Sequence, residues 1–600
     1  MKKNDWILVG SACLYSYLFY RQNFGINFLI FSIVLIAATI FINPKVIKIK
    51  PWLLAAIGSL ISALCISYYG NTLSFITNLI SLSLVSGLGT EEQNSVIIVL
   101  LHSVYSYFLA AYQAVIKWLK ERNKVSDGKS ELPFRKVILI VTPILITLIF
   151  FAMYRSSNIL FDEWASKINF DFISWGWIFF TLFGLQLLYG FYKPKRITKL
   201  ADFDQRTSNY ISESKSSILK LFGKEVSIQD ELFSGVLLFS LLNTLLLIVN
   251  GLDVNYLFID GKLPAGLTYS QFVHQGTGLL ITSILVAISI ILFYFRGAIN
   301  FSNNKIIKWL AYLWVIQNAF MLFSTMMRNG MYIDQYGLTH KRIGVYVYLT
   351  LALIGLITTL VKIAKTKNNM FLFRINGWLF YAALVISCFI NWDKTITNFN
   401  INKAGQLDKY YLLELSETNI PELFLYEQNI LKKHKHNEEN DTRSSFESSS
   451  FSSSYDDESG DFKEKLSKKI FLFVQSQADE SWRSWNYDNH QTNLFIKHAN
   501  IPQSLFKLDI SNTDTYSLSS LKLFSNIRQL NVSNTDITEL NEIPNLSKLE
   551  ILSLGINHIS DFSPLYKIKS LKQINVYSIS KEQLDLLKSN LPNTIITNQI

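Results

Sequence analysis

The sequence predicts a membrane all-α polytopic bundle of about 12 transmembrane helices, followed by a small α/β leucine-rich repeat solenoid. Three observations carry this. Of 600 residues, 50% are apolar and 17% charged, with mean hydropathy +0.23, against about 25% charged in soluble proteins. The apolar residues fall in runs close to the ~20 that a helix needs to cross a bilayer. Near the C-terminus, apolar positions recur at a period of about 22, inside the 20–29 range of leucine-rich repeats.

Taken in order, the expected spans are 6–20, 24–43, 52–69, 72–89, 95–117, 136–154, 172–192, 231–250, 277–295, 307–327, 343–363 and 371–390. The first is short, and 72–89 is rich in Ser and Thr. Lipid leaves no water for unpaired backbone groups, so every span is read as a helix. The N-terminal MKKNDWILVG reads as a retained signal anchor. Cys13, Cys65 and Cys388 lie apart in apolar runs, a pattern that fits neither a disulfide framework nor a zinc site.

The formal charge of +11 sits mostly in loops between spans. It reads as a set of topology determinants and excludes a nucleic-acid role. Loops 118–135, 193–230 and 364–370 are rich in Lys and Arg and share one parity, which places them in the cytoplasm. Loops 155–171 and 251–276 carry Asp162, Glu163, Asp253 and Asp260 and should face outward. Lys45, Lys48 and Lys50 in loop 44–51 run against this scheme. The later loops, with the larger and repeated excess, decide it. The chain after residue 390 is then extracytoplasmic, on the outer side of a bacterial cytoplasmic membrane.

Five domains follow: the spans (1–390), an amphipathic post-membrane segment (391–443), a Ser-rich linker (444–461), a helical segment (462–500) and the repeats (501–600). The linker SSFESSSFSSSYDDESG cannot bury a core. In the repeats, Leu505, Ile527, Leu549 and Leu571 share one phase, and Leu508, Leu530, Leu552 and Ile574 another. Each unit should supply a short strand, with Leu552 and Leu554 inside and Ser553 outside. A single unit cannot bury its own apolar face, so the units stack. The segment from Ile559 to Leu565 resembles internalin-type bacterial repeats.

The run Arg328-Asn329-Gly330-Met331-Tyr332-Ile333-Asp334-Gln335-Tyr336-Gly337-Leu338-Thr339, with Arg342 beyond it, resembles a signature of a bacterial membrane family known only as a domain of unknown function (the 4173/4153 group). Tyr269 to Gly276 matches a second run, with His274 in place of an expected Arg. Asn391-Trp392-Asp393, Leu407-Asp408, Tyr411-Leu412, Leu415-Ser416, Ile420-Pro421 and Trp482-Arg483-Ser484-Trp485-Asn486 match its post-membrane part. The likeness covers roughly 230–490 and implies no activity.

Charge at a membrane edge is costly and marks a site. The candidate outer-face cluster is His274, Arg328, Tyr332, Asp334, Tyr336 and Arg342, with the two arginines able to clamp an anion and Asp334 to orient one of them. The opposing reading is that these residues anchor helix ends at headgroup level. The concave face of the repeats should present Asp509, Ser511, Asn531, Ser533, Ser553, Asn575 and Tyr577. We find no catalytic signature, metal-ligand spacing or cofactor fingerprint in the sequence. The expectation is an integral membrane protein, leaning non-enzymatic, whose repeat domain binds an extracytoplasmic protein or glycan. Its spans contact membrane lipids, and loop 193–230 offers a cytoplasmic partner site. The alternative is a transporter, or a membrane-embedded enzyme acting on lipid or glycan through the outer-face cluster.

Overall fold

A backbone in lipid satisfies its polar groups internally, and the apolar runs of this chain form helices. The structure, a computed structural model, describes residues 3–91, 94–124, 142–143, 146–147, 149–151, 153–158, 161, 174–212, 220–221, 224–255, 259, 269–302, 304–441, 452–478 and 480–599. In order, the main elements are α1 (Lys3–Phe19), α2 (Ile26–Ile42), α3 (Lys50–Tyr69), α4 (Thr72–Leu88), α5 (Val96–Lys124), α6 (Trp175–Tyr192) and α7 (Thr198–Arg206). A small antiparallel ribbon, β1 (Lys220–Leu221) and β2 (Lys224–Glu225), precedes α8 (Ile228–Val254), α9 (Tyr269–Tyr294), α10 (Lys305–Tyr336), α11 (His340–Ala364) and α12 (Asn369–Ser387).

Among the described residues, six helices are long and apolar enough to cross a membrane: α3, the Val96–Gln113 part of α5, α8, α10, α11 and α12. Helices α2, α4 and the Thr282–Tyr294 part of α9 are apolar but shorter. Among the described residues the expected twelve are not confirmed. Helices α1 and α6 fall in neither group, and 136–154 lies mostly outside the described residues.

The chain divides into two units, and the expected 1–390 domain is shared between them. The first contains 1–66, 72–211 and 367–386. In it the Ser-rich α4 turns its polar side chains inward. Asn78 Nδ2 donates to Ser59 O at 2.8 Å and to Ser32 Oγ at 3.1 Å, and Tyr381 Oη bonds Ser81 Oγ at 2.9 Å. Buried Asp204, on α7, accepts from Ser95 N at 2.5 Å and pairs with Arg374 at 2.8 Å. Part of the basic 193–230 loop is likewise neutralised internally, by Arg196 on Asp202 at 2.5 Å.

The second unit contains 67–71, 212–366 and 387–600. Ser227 caps α8 by accepting from Asp230 N at 3.1 Å, and Asp230 and Glu231 suit the helix N-terminus. A polar seam joins α8 to α10. Asn243 Nδ2 donates to Leu310 O at 3.0 Å, Gln317 Nε2 to Asn243 Oδ1 at 3.0 Å, and Asn250 Nδ2 to Gln317 O at 3.1 Å. Without water, such groups must find partners on the neighbouring helix.

Beyond α12 come α13 (Trp392–Lys403), α14 (Lys409–Glu414), α15 (Ile420–Asp441), α16 (Ser452–Ala478), α17 (Tyr487–His498) and α18 (Ile501–Ser504). Helix α16 starts inside the stretch expected to be a linker, and 442–451 lie outside the described residues. The sheet follows, with β3 (Lys507–Asp509), β4 (Gln529–Asn531), β5 (Ile551–Gly555), β6 (Gln573–Tyr577) and, after α19 (Lys581–Asn590), β7 (Ile595–Gln599). It is parallel, in sequence order, with Leu508, Leu530, Leu552, Ile574 and Ile596 in register. Leu552 and Leu554 are buried and Ser553 half-buried. Asn512 and Asn534 turn the chain at φ 56° and 54°, a region asparagine tolerates. One hydrophobic core runs from Ile396, Leu412 and Leu423 through Phe462, Ile470 and Phe471 to the sheet. The segments expected as separate domains after 390 therefore share a core.

Candidate functional site

The polar run 328–342 is mostly helix. Arg328, Tyr332, Asp334 and Tyr336 lie on α10, and only 337–339 break the chain before α11. Helix α10 has 32 residues and is about 48 Å long at 1.5 Å per residue. That exceeds a hydrocarbon core of about 30 Å, so its end can stand clear of the apolar layer. Gly337 takes φ +78°, and a Cβ there would meet Asn400 Oδ1 at 2.7 Å. Both facts require glycine. Thr339 caps α11, accepting from Arg342 N at 3.3 Å.

Each of the two arginines has partners within the protein. Arg328 Nη2 donates to Asp253 Oδ1, and Ser324 Oγ donates to the other oxygen of that carboxylate at 2.5 Å. Arg342 Nη1 donates to Tyr336 O at 2.8 Å and to Gly337 O, and its guanidinium lies 4.2 Å from the Tyr332 ring centre. Asp334, the expected orienting acid, is exposed; the carboxylate on Arg328 is that of Asp253. Asp253 is buried in the last turn of α8, not in the loop that the sequence predicts over 251–276. Its place beside an apolar run was the available signal. His274 is on α9, and its side chain lies outside the described residues.

What meets the 337–339 turn is the post-membrane segment. Leu338 N donates to Asn400 Oδ1 at 2.5 Å, and Asn400 Nδ2 returns a bond to Leu338 O at 2.9 Å. Gly405 N and Gln406 N donate to the carbonyls of Asp334 and Gln335 at 3.0 and 2.9 Å. His340 N donates to Tyr411 Oη at 3.1 Å, and His340 Nε2 lies 2.6 Å from Asp393 Oδ1. Burial works to raise the Asp393 carboxyl, but hydrogen bonds from His340 and Ser416 outweigh it and hold it below the ordinary value.

A second layer ties this segment to the C-terminal part. Asp488 accepts from Asn391 Nδ2 at 2.6 Å and Lys394 Nζ at 3.1 Å. Lys469 Nζ, on α16, donates to Leu413 O, Leu415 O and Asn419 Oδ1 at 3.0, 2.6 and 3.0 Å. Burial pushes this amine down to about 8. Lys468 Nζ then reaches Ser511 O at 2.7 Å, and Lys507 pairs with Glu464 at 2.6 Å.

On the sheet, Asp509, Ser511, Asn531, Ser533, Ser553 and Asn575 are half-buried and Tyr577 exposed. They bond to one another along the sheet. Asn531 Nδ2 donates to Asp509 Oδ2 at 2.8 Å and Asn575 Nδ2 to Ser553 Oγ at 3.0 Å. Hydrogen bonds from Ser511 and Asn531 overcome burial and lower the Asp509 carboxyl. Among the described residues, no cluster of His, Cys, Asp and Glu is arranged to hold a metal.

A family model described as a domain of unknown function (DUF4153) matches residues 9–425. The match begins far ahead of the motif likeness at 230 and stops short of Trp482. No curated protein and no solved structure matches the chain.

Proposed function

The chain belongs to the DUF4153 family, and we propose that it is a non-enzymatic membrane scaffold. In this reading the helices hold an internalin-like leucine-rich repeat domain rigidly on the outer side of a bacterial cytoplasmic membrane. The domain binds a protein or glycan there. One observation carries the proposal: 393–416 is bonded into the α10–α11 turn through Asn400, Asp393 and Tyr411. A flexibly tethered module would have no need of such a joint. The 22-residue register from β3 to β7 supports the repeat assignment. The basic 193–230 loop is the proposed contact for a cytoplasmic partner.

A transporter, or an enzyme acting on lipid or glycan, would need the arginines open to its substrate. Their engagement by Asp253, Tyr336 and Tyr332 weighs against that reading. The polar face between β3 and β6 suits a modest contact centred on Tyr577, since interface hot spots favour aromatic and Arg side chains. The test is cross-linking and capture from an envelope fraction with the full chain and with Tyr577→Ala. A set of proteins or glycans lost with Tyr577 supports binding at this face. The same set with both chains, or none, refutes it.

A further inference from the structure

The burial pattern around the 3-10 turn Trp482–Ser484 is inverted. Trp482 is 57% exposed and Trp485 39%, while Ser484, Asn486 and Asp488 are 2%, 3% and 5% exposed. In water the hydrophobic effect drives the opposite choice. The buried polar groups are firmly held. Asn486 Oδ1 caps α17 by accepting from Asn489 N at 2.9 Å, and Asp488 takes Asn391 and Lys394. The exposed indoles thus belong to a fixed turn.

That turn is attached to the ends of two apolar helices, α3 and α12, which therefore end on one side, whereas the loop count of the sequence places the end of α3 and the chain after 390 on opposite sides. Asn391, which bonds Asp488, stands four residues beyond the end of α12 at Ser387. The Tyr487 ring stacks on Tyr68, one residue before α3 ends, with centroids 4.4 Å apart. A Cβ at Gly70 would meet Asn486 Nδ2 at 3.0 Å, and Tyr69 Oη donates to Phe389 O at 2.9 Å. Tyr68, Phe389 and Ile390 are exposed as well. Helix ends are where a membrane protein meets headgroups, and Trp and Tyr collect at that level because their rings are apolar and their N–H and O–H groups polar. Arg483, between the two indoles, is half-buried and donates from Nε to Ser481 Oγ at 3.0 Å.

We propose that Trp482 and Trp485 form an interfacial membrane anchor, seated at the headgroup–acyl boundary of the bilayer and holding the extramembrane part of the chain against the lipid surface. The occupant of this face is lipid, because the turn is bonded to the segments where apolar helices end. The anchor rests on the helices crossing a membrane and is independent of whether the sheet binds a ligand.

The test uses the full chain with Cys13, Cys65 and Cys388 changed to alanine, reconstituted in vesicles of phosphatidylcholine and phosphatidylglycerol. A spin label is placed at Trp482→Cys or, separately, at Trp485→Cys. Collision with oxygen, which concentrates in lipid, is compared with collision with a water-soluble nickel chelate. Ile357→Cys, exposed on α11, gives the lipid reference, and Lys588→Cys, exposed on α19, the aqueous one. Labels at 482 and 485 should fall between the two, with oxygen favoured several-fold over its ratio at 588. A ratio equal to that at 588 overturns the anchor while leaving the membrane assignment intact. Weak collision with both reagents means that protein covers the turn, and overturns it too. A water-like value at 357 overturns the membrane assignment and the anchor together.

Discussion

Removing Arg328 should expose what it is for. Its guanidinium and the Asp253 carboxylate are both nearly buried, at 13% and 9% side-chain exposure. Their attraction is roughly 4 kcal/mol or more at an effective dielectric of about 20, with desolvation opposing it. Arg328→Ala leaves Asp253 without its cation at the end of α8 and should cost about 3–5 kcal/mol. Asp253→Ala should cost a similar amount, because it strands the arginine. Arg328→Met with Asp253→Leu removes both charges and fills the space. Ser324 loses an acceptor but can turn to the carbonyl one helical turn back, so the double variant should lie within about 2 kcal/mol of the starting protein. Unfolding by sodium dodecyl sulfate from mild detergent micelles, followed by circular dichroism, gives the cycle. Single-variant costs that simply add in the double would refute a structural tie and reopen Arg328 as a ligand group.

Three further outcomes are expected. Leu552→Ala in the full chain should cost about 2–5 kcal/mol and Ser553→Ala, which loses only the acceptor of Asn575, about 0.5–1.5 kcal/mol; equal shifts in thermal melts would count against the register. Asp393 titrates below its ordinary 3.8, so the folded state binds that proton less readily than the unfolded one, and the stabilisation holds above that ordinary value and drains as pH falls through the lower folded one. Asp393→Asn should flatten this acid limb, and an unchanged limb would remove the carboxylate from the joint. For sidedness, Lys588→Cys in a cysteine-free chain should react with an impermeant maleimide in intact spheroplasts; reaction only after lysis places the sheet in the cytoplasm.

What the sequence made legible was whatever repeats locally. Leu508, Leu530, Leu552 and Ile574 stand in register in the sheet, because a strand pointing alternate side chains into a core leaves a fixed spacing. Helix α4 is rich in Ser and Thr, and the structure shows a use for such polar groups: Asn78 and Ser81 form internal hydrogen bonds. The arginine clamp was read from nearness in sequence. Asp253 and Arg328 are 75 residues apart, a separation that no local pattern reports. Asp393 and Tyr411 stand in the motif-like runs, but their pairing with His340 is not legible there, since the joint forms only when α13 folds back onto the α10–α11 turn.

The boundary of the family match sharpens this. Residue 425 separates the two halves of several ties. Asn391 and Lys394 lie before it and Asp488 after it; Leu413, Leu415 and Asn419 lie before it and Lys469 after it. The matched region thus presents carbonyls and donors that are completed from beyond 425. The shared core is split in the same way, with Ile396, Leu412 and Leu423 on one side and Phe462, Ile470 and Phe471 on the other. A chain cut at 425 would leave the Lys394 ammonium without Asp488 and an apolar face open to water. The C-terminal part therefore closes the membrane unit physically as well as adding a sheet to it, and a ligand bound on the sheet would meet a body continuous with α10 and α11.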